Sequence, residues 1–154
     1  MNTEEKKDRK ELFGKFRDGF RKIKPYFWNL SNGERLLELP VTTMPIFRIP
    51  FHLSYLLFLS NFSDKLMMMY LNCAIYLCKL TKTQPSFLLH PLDLVGGDII
   101  RELGFFPGMD VETDQKARVF KEVISCLSDH FQLTNMSKNA KHILRNGGLK
   151  VKIY

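Results

Sequence analysis

The chain has 154 residues and a mass of 18.0 kDa, which is the size of one domain. Its hydrophobic share of 45% and charged share of 25% exclude disorder throughout, a collagen-like repeat and a disulfide miniprotein. The net charge of +7 lies at the two ends, because residues 1–24 carry a net +4 and residues 130–154 a net +5. Basic ends favour nucleic acid or anionic lipid, but solvated, mobile ends are the commoner case, and no nucleic-acid-binding motif is present.

Cysteine usage and hydropathy indicate the compartment. Three cysteines without a CxxC pair favour a reducing environment, and the charged first ten residues are unlike a secretory signal. Polar residues interrupt the most apolar stretch, residues 51–80, so no run is long enough to span a membrane. We therefore expect a cytoplasmic protein without a transmembrane span. A helix pair lying on a membrane surface stays open as an alternative for residues 51–80.

Three segments of different composition divide the chain. Residues 1–24 are a charged lead-in, residues 25–145 are expected to form a partial α/β domain, and residues 146–154 are a basic tail. Apolar side chains three and four residues apart predict one apolar stripe if the lead-in is helical. These side chains are Phe13, Phe16, Phe20 and Ile23.

The first predicted strand covers residues 36–41. Its alternation places Glu38 on the face opposite Leu37, Leu39 and Val41. A carboxylate in this setting is either an edge-strand residue that keeps the edge soluble or a side chain that points into a site.

Prolines at 40, 45 and 50 exclude a helix across this region and predict an extended crossing. Two helices are predicted next, over 52–61 and 64–80, with Ser63 or Asp64 as the N-cap of the second. We expect the apolar stripe of the second helix to be core rather than a cofactor contact. The stripe consists of Leu66, Met69, Tyr70, Cys73, Leu77 and Leu80.

The rest of the chain predicts alternating strands and helices. Residues 86–90 (SFLLH) are apolar on both faces, which is typical of a buried parallel strand. A helix over 113–129, a last strand over 131–136 and a basic helix over 137–145 follow. Such alternation favours parallel βα units, but about three strands suffice only for part of an α/β fold. The stripe expected on the helix over 113–129 is Ala117, Phe120, Ile124 and Leu127, with Val119 and Val123 beside it.

His90 is the candidate for acid–base chemistry, because it stands at the carboxyl end of the predicted buried strand and titrates near neutrality. Asp93 either orients this imidazole or makes an Asx-type turn. Glu38, on a neighbouring strand, would complete a set of two carboxylates and one imidazole, and its alternative role is to keep an edge soluble. No histidine pair has metal-ligand spacing, and no serine has the context of a nucleophile. On position alone, a structural cap of the strand is the commoner role for such a histidine.

Two stretches carry a resemblance to a known family. One comprises residues 36–45 (LLELPVTTMP) and 49–57 (IPFHLSYLL), and the other comprises 87–93 (FLLHPLD) and 105–109 (FFPGM). Together they resemble the C-terminal half of a polysaccharide deacetylase of the carbohydrate esterase family 4 type, in a subgroup seen in cell-surface polysaccharide gene clusters. The resemblance spans most of the chain, and the LLHPLD run is its most specific part.

This resemblance implies a partial (β/α) barrel with about three parallel strands, and hydrolysis of N-acetyl groups on sugars with a divalent, zinc-like metal. It implies that His90 is the general acid toward the leaving amine, with Glu38 on the preceding barrel strand. The family's base and metal ligands belong to a Thr-Phe-Asp-Asp-like motif and a His-x3-His motif, and this sequence contains neither. We therefore expect no metal site and no deacetylase activity from this chain alone. A partner chain with the missing half, or self-association, would then be needed.

Two other functions stay open from the sequence. The chain is a non-catalytic remnant or a module that binds glycans or a protein, or it is a peripheral membrane protein with basic ends. Aromatic side chains that stack on sugar rings would support the glycan-binding function, although burial in a core is commoner. The candidates for stacking are Tyr26, Phe27, Trp28 and Tyr55.

Overall fold

The computed structural model describes residues 22–146 and 151–152 of the chain. Phe13, Phe16 and Phe20 of the predicted lead-in stripe lie outside the described residues. Four α-helices, two short 3₁₀ turns and three short strands occur within the described ranges.

An antiparallel hairpin opens the described part of the chain. Strand β1 (Tyr26–Asn29) pairs with strand β2 (Arg35–Glu38), so that Tyr26 lies opposite Glu38. The turn between them places Gly33 at φ +83°, a left-handed conformation that favours glycine. The predicted strand over 36–41 is thus confirmed only as far as residue 38, and β1 was not predicted.

The sheet overturns the predicted fold class. Strand β3 (Val151–Lys152) lies parallel to β1, which gives the order β2-β1-β3. Apart from this two-residue pairing and one isolated bridge, the described residues contain no parallel strands and no barrel-like arrangement. The prediction of a partial (β/α) barrel with about three parallel strands is therefore wrong.

The physical reason lies in the two apolar segments predicted as later strands. Residues 86–90 run extended, but only Leu88 makes a bridge, to His52, and Leu89 and His90 are exposed. Residues 132–135 are exposed and make no strand pairing. A continuous apolar run is compatible with a buried strand, but it does not supply the neighbouring strands that would pair with it.

A bundle of three helices provides the core. Helix α1 (Leu53–Ser60), helix α2 (Asp64–Leu80) and helix α3 (Thr113–His130) pack against one another. Each of these helices begins and ends within one residue of its predicted bounds. Ser63 caps α2, since its side chain accepts the backbone N–H of Leu66 at 3.4 Å. The largest apolar side chains that are fully buried between the helices are Phe51, Leu53, Leu56, Met67, Leu71, Ile75, Val119, Val123 and Leu127.

The helices are rotated relative to the predicted stripes. In α2 the buried face contains Met67, Leu71, Ala74, Ile75, Leu77 and Cys78. Of the predicted stripe only Leu77 is buried, whereas Leu66, Met69, Cys73 and Leu80 are exposed. In α3 the buried residues are Lys116, Val119, Val123 and Leu127, and the other members of its predicted stripe are only partly buried. Apolar residues surround most of α2, so their spacing alone does not select one face.

Helix α4 (Met136–Asn146) agrees with the predicted basic helix, and it has no buried residue. The segment between α2 and α3 contains only two 3₁₀ turns, Pro91–Asp93 and Arg101–Leu103. Its later part closes on itself, because Gly97 N–H donates to the carbonyl of Met109 at 2.8 Å. Among the described helices, none combines the length and the apolar character that crossing a bilayer requires.

Candidate acid–base site

His90 lies at the start of the Pro91–Asp93 turn, next to the first turn of α1. The approach is fixed by Leu88, whose carbonyl accepts the backbone N–H of Leu53 at 3.3 Å. The turn is closed by Asp93, whose carboxylate accepts the backbone N–H of His90 at 2.8 Å. His90 therefore follows an extended approach to α1, and its imidazole is half-exposed.

Two side chains approach the same nitrogen of the His90 ring. Ser54 Oγ, in the first turn of α1, lies 2.9 Å from His90 Nδ1. Asp93 Oδ2 lies 3.6 Å from that nitrogen, and Asp93 is only 5% exposed. When the hydroxyl of Ser54 donates to Nδ1, the neutral ring carries its proton on Nε2. Within the described residues, no hydrogen bond occupies Nε2.

This geometry differs from that of a serine hydrolase. In a Ser-His-Asp triad the serine and the carboxylate bind opposite nitrogens of the imidazole. Here Ser54 and Asp93 both approach Nδ1 of His90, so the carboxylate cannot relay through the ring to the serine. The arrangement suits a proton donor or acceptor at His90 rather than a nucleophile at Ser54.

A second imidazole faces the first. The rings of His52 and His90 meet edge to face, with centroids 6.0 Å apart. His52 caps α1, because its Nδ1 accepts the backbone N–H of Tyr55 at 3.4 Å. Burial and the neighbouring His90 lower the pKa of His52, against the carboxylate of Asp93, which raises it. The lowered pKa favours the neutral form of the His52 ring.

Aromatic rings extend from this pair along α1 and past its end. Tyr55 follows His52 with centroids 6.4 Å apart, Phe58 follows Tyr55 at 6.1 Å, and Phe62 follows Phe58 at 5.1 Å. Phe58 and Phe62 are both exposed. We call these three rings, Tyr55, Phe58 and Phe62, the aromatic strip.

A buried lysine lies on the inner side of the turn. Lys116 in α3 is 1% exposed, and its Nζ donates to the carbonyls of Leu92 and Val95 at 2.7 and 2.8 Å. Burial lowers the pKa of Lys116, and the carboxylates of Asp93, Asp110 and Asp98 oppose this shift. Lys116 was not among the site residues predicted from the sequence. The sequence does contain a sign of its burial, because Lys116 lies three residues before Val119 and seven before Val123, on the same face of the helix.

Glu38 does not join this site. Its carboxylate accepts a hydrogen bond from Trp28 Nε1 across the hairpin. No hydrogen bond or ion pair links Glu38 to His90 within the part of the chain that the structure describes. Strand β2 is at the edge of the sheet, which agrees with the edge-strand alternative for this carboxylate. The site brings together His90 and Asp93 of the predicted set and adds Ser54, His52 and Lys116.

In residues 22–146 and 151–152, no group of three His, Cys, Asp or Glu side chains is arranged to hold a metal ion. Comparison of the chain with protein families, with curated proteins and with solved structures found no match.

Proposed function

We propose that this chain provides the acid–base histidine, His90, for the hydrolysis of N-acetyl groups on sugars. The observation that carries the proposal is a half-exposed imidazole held at Nδ1 by Ser54, beside the buried carboxylate of Asp93. The resemblance of residues 87–93 to the histidine motif of polysaccharide deacetylases supplies the reaction class.

The chemistry needs a proton donor at this position. Attack of water on the acetyl carbonyl gives a tetrahedral adduct, which collapses only when its nitrogen leaves as a neutral amine. The protonated imidazole of His90 gives its proton to that nitrogen, the C–N bond breaks, and acetate and a free amino sugar result. The carboxylate of Asp93 lies 3.6 Å from Nδ1, beside the ring that carries the proton before this step. Ser54 fixes the rotation of the ring and so the direction of proton transfer.

The attacking water is supplied from another polypeptide in this proposal. In the family that the sequence resembles, a divalent metal bound by the Asp-Asp and His-x3-His motifs activates that water. We place those ligands on a partner chain, and residues of the present chain hold and move the proton on the leaving-group side.

The aromatic strip supports a sugar polymer as the substrate. Pyranose rings have one apolar face, and exposed aromatic rings are the side chains that bind such faces. Phe58 on α1 and Phe62 just after its end are both exposed, and the first turn of the same helix holds Ser54 against His90. A polysaccharide lying along the strip would therefore lead to the imidazole.

Acetate release tests the role of His90. The chain is mixed with Zn²⁺, an N-acetylglucosamine oligosaccharide and a polypeptide that carries the Asp-Asp and His-x3-His motifs, and acetate is measured for wild type, H90A and H130A. We expect wild type and H130A to react equally and H90A to be slower by about 10²–10⁴, the usual contribution of a general acid. His130 is a matched control, because it is exposed at the end of α3. Equal rates for H90A and wild type, or no acetate from any mixture, would contradict the proposal.

Binding tests the role of the aromatic strip without catalysis. Titration of the chain with the same oligosaccharide should give saturable binding that the F58A/F62A variant loses. F105A is the control, because Phe105 is also exposed but lies in the loop before α3. Equal binding by F58A/F62A and wild type would remove the strip from the substrate site.

A further inference from the structure

The turn that carries His90 and Asp93 is attached to the rest of the protein by few backbone hydrogen bonds. Before it, Leu53 N–H donates to the carbonyl of Leu88 at 3.3 Å. After it, Gly96 N–H donates to the side chain of Thr113 at 2.8 Å. Between these two points, the backbone bonds of the turn are internal, from Asp93 N–H to His90 and from Leu94 N–H to Pro91.

Lys116 of helix α3 contacts the backbone of this turn. Its ammonium group has three N–H donors, and it contacts three acceptors: the carbonyl of Leu92, the carbonyl of Val95 and the sulfur of Met109 at 3.8 Å. The two carbonyls lie on either side of Asp93 in the chain. A fully buried lysine is rare, and here its desolvation is offset by complete hydrogen bonding.

The charge of Lys116 matches a buried charge in the turn. Asp93 is 5% exposed, and its carboxylate is the first of the acidic groups that raise the pKa of Lys116 against the effect of burial. A buried carboxylate and a buried ammonium group on neighbouring elements stabilise each other only in a fixed geometry. Lys116 therefore holds the backbone on both sides of Asp93.

We infer that Lys116 is a positioning residue that holds the His90–Asp93 turn against Ser54 and His52. Its chemical meaning rests on the proposed function, but the placement it describes is a property of the fold alone. Removal of the ammonium group would free the carbonyls of Leu92 and Val95, and the contact between His90 Nδ1 and Ser54 Oγ would be lost with the position of the turn.

The test measures the environment of the His90 imidazole directly. Long-range ¹H–¹⁵N spectra of the histidine rings are recorded for wild type, K116M, K121M and S54A. K116M keeps most of the side-chain volume without the charge, and K121M is the matched control because Lys121 is exposed on the same helix. We expect the His90 ring signals of K116M to move to those of S54A, with K121M unchanged. His90 signals in K116M identical to those of wild type would overturn the inference.

A measurement on the wild-type protein covers the case in which K116M does not fold. The ammonium protons of Lys116 should exchange with water far more slowly than those of Lys121, and they should show hydrogen-bond couplings to the carbonyl carbons of Leu92 and Val95. Exchange as fast as that of Lys121 would overturn the inference.

The outcomes also separate this inference from the proposed function. Displacement of the His90 signals in K116M without acetate release from any mixture keeps the positioning role and refutes the deacetylation. Normal acetate release together with unchanged His90 signals in K116M supports the deacetylation and refutes the positioning role.

Discussion

Leu71 and Met69 together test how α2 is rotated in the core. Leu71 is 0% exposed, whereas Met69, two residues earlier on the same helix, is 65% exposed. Truncation of a fully buried leucine costs about 2–5 kcal/mol, because the lost transfer free energy adds to the cost of a cavity. Met69→Ala removes a side chain that water already reaches, so its effect should stay within about 0.5 kcal/mol.

Urea unfolding followed by circular dichroism measures both variants. The free energy of unfolding of a small protein falls by about 1–3 kcal/mol per molar urea, so L71A should lower the midpoint by roughly 1 M or more. M69A should leave it nearly unchanged. Ile75→Val, at a position 2% exposed, gives a milder third point of about 0.5–1.5 kcal/mol if L71A is too unstable to fold.

The result that refutes this reasoning is an equal or larger cost for M69A than for L71A. That result would place the face formed by Leu66, Met69 and Leu80 in the core, as the sequence pattern predicted, and would require a different rotation of α2.

Three further predictions concern the site and its surroundings. The pKa of His52 is lowered in the folded state, so below about pH 6.5 the unfolded state binds more protons and the protein should lose stability on acidification. Thermal unfolding should show a smaller loss for H52N, which keeps an N-cap acceptor. The same pH profile for H52N and wild type would contradict this. Cys73 should react with a thiol reagent in the native protein while Cys78 does not, because burial hides Cys78 and raises its pKa to about 11, and equal rates would disprove the packing. Gly96→Ala should cost about 1–3 kcal/mol in thermal unfolding, since its Cβ would lie 2.3 Å from the carbonyl oxygen of Val111, and a neutral result would show that this loop yields.

The helices were predictable because their ends carry local signals. Ser63 before Asp64 marks the start of α2, and Pro50 keeps the preceding residues out of α1. The faces of the helices were less predictable, because α2 is apolar on most sides and its burial is decided by the neighbouring helices. The strand predictions were wrong for a related reason. An apolar run such as residues 86–90 indicates burial, but pairing depends on partners that are remote in sequence.

The candidate site was predictable only in its local part. His90 and Asp93 are three residues apart, so one turn of backbone brings them together. Ser54 lies 36 residues from His90, and only the packing of α1 against the extended segment joins them. Glu38 was assigned to the site because it was expected on a parallel strand beside His90. Strand β2 instead pairs with β1 in an antiparallel hairpin, so Glu38 lies outside the site.

The placement of the site across three distant parts of the chain has a consequence for how the protein folds. Helices α1 and α2 are joined by a short turn, so their association closes little chain and can occur early. The contact between Ser54 and His90 spans 36 residues, and the contacts of Lys116 with Leu92 and Val95 require α3 to be in place. In a refolding chain, helical structure should therefore form before the environment of the His90 imidazole, and the segment between α2 and α3 should close late.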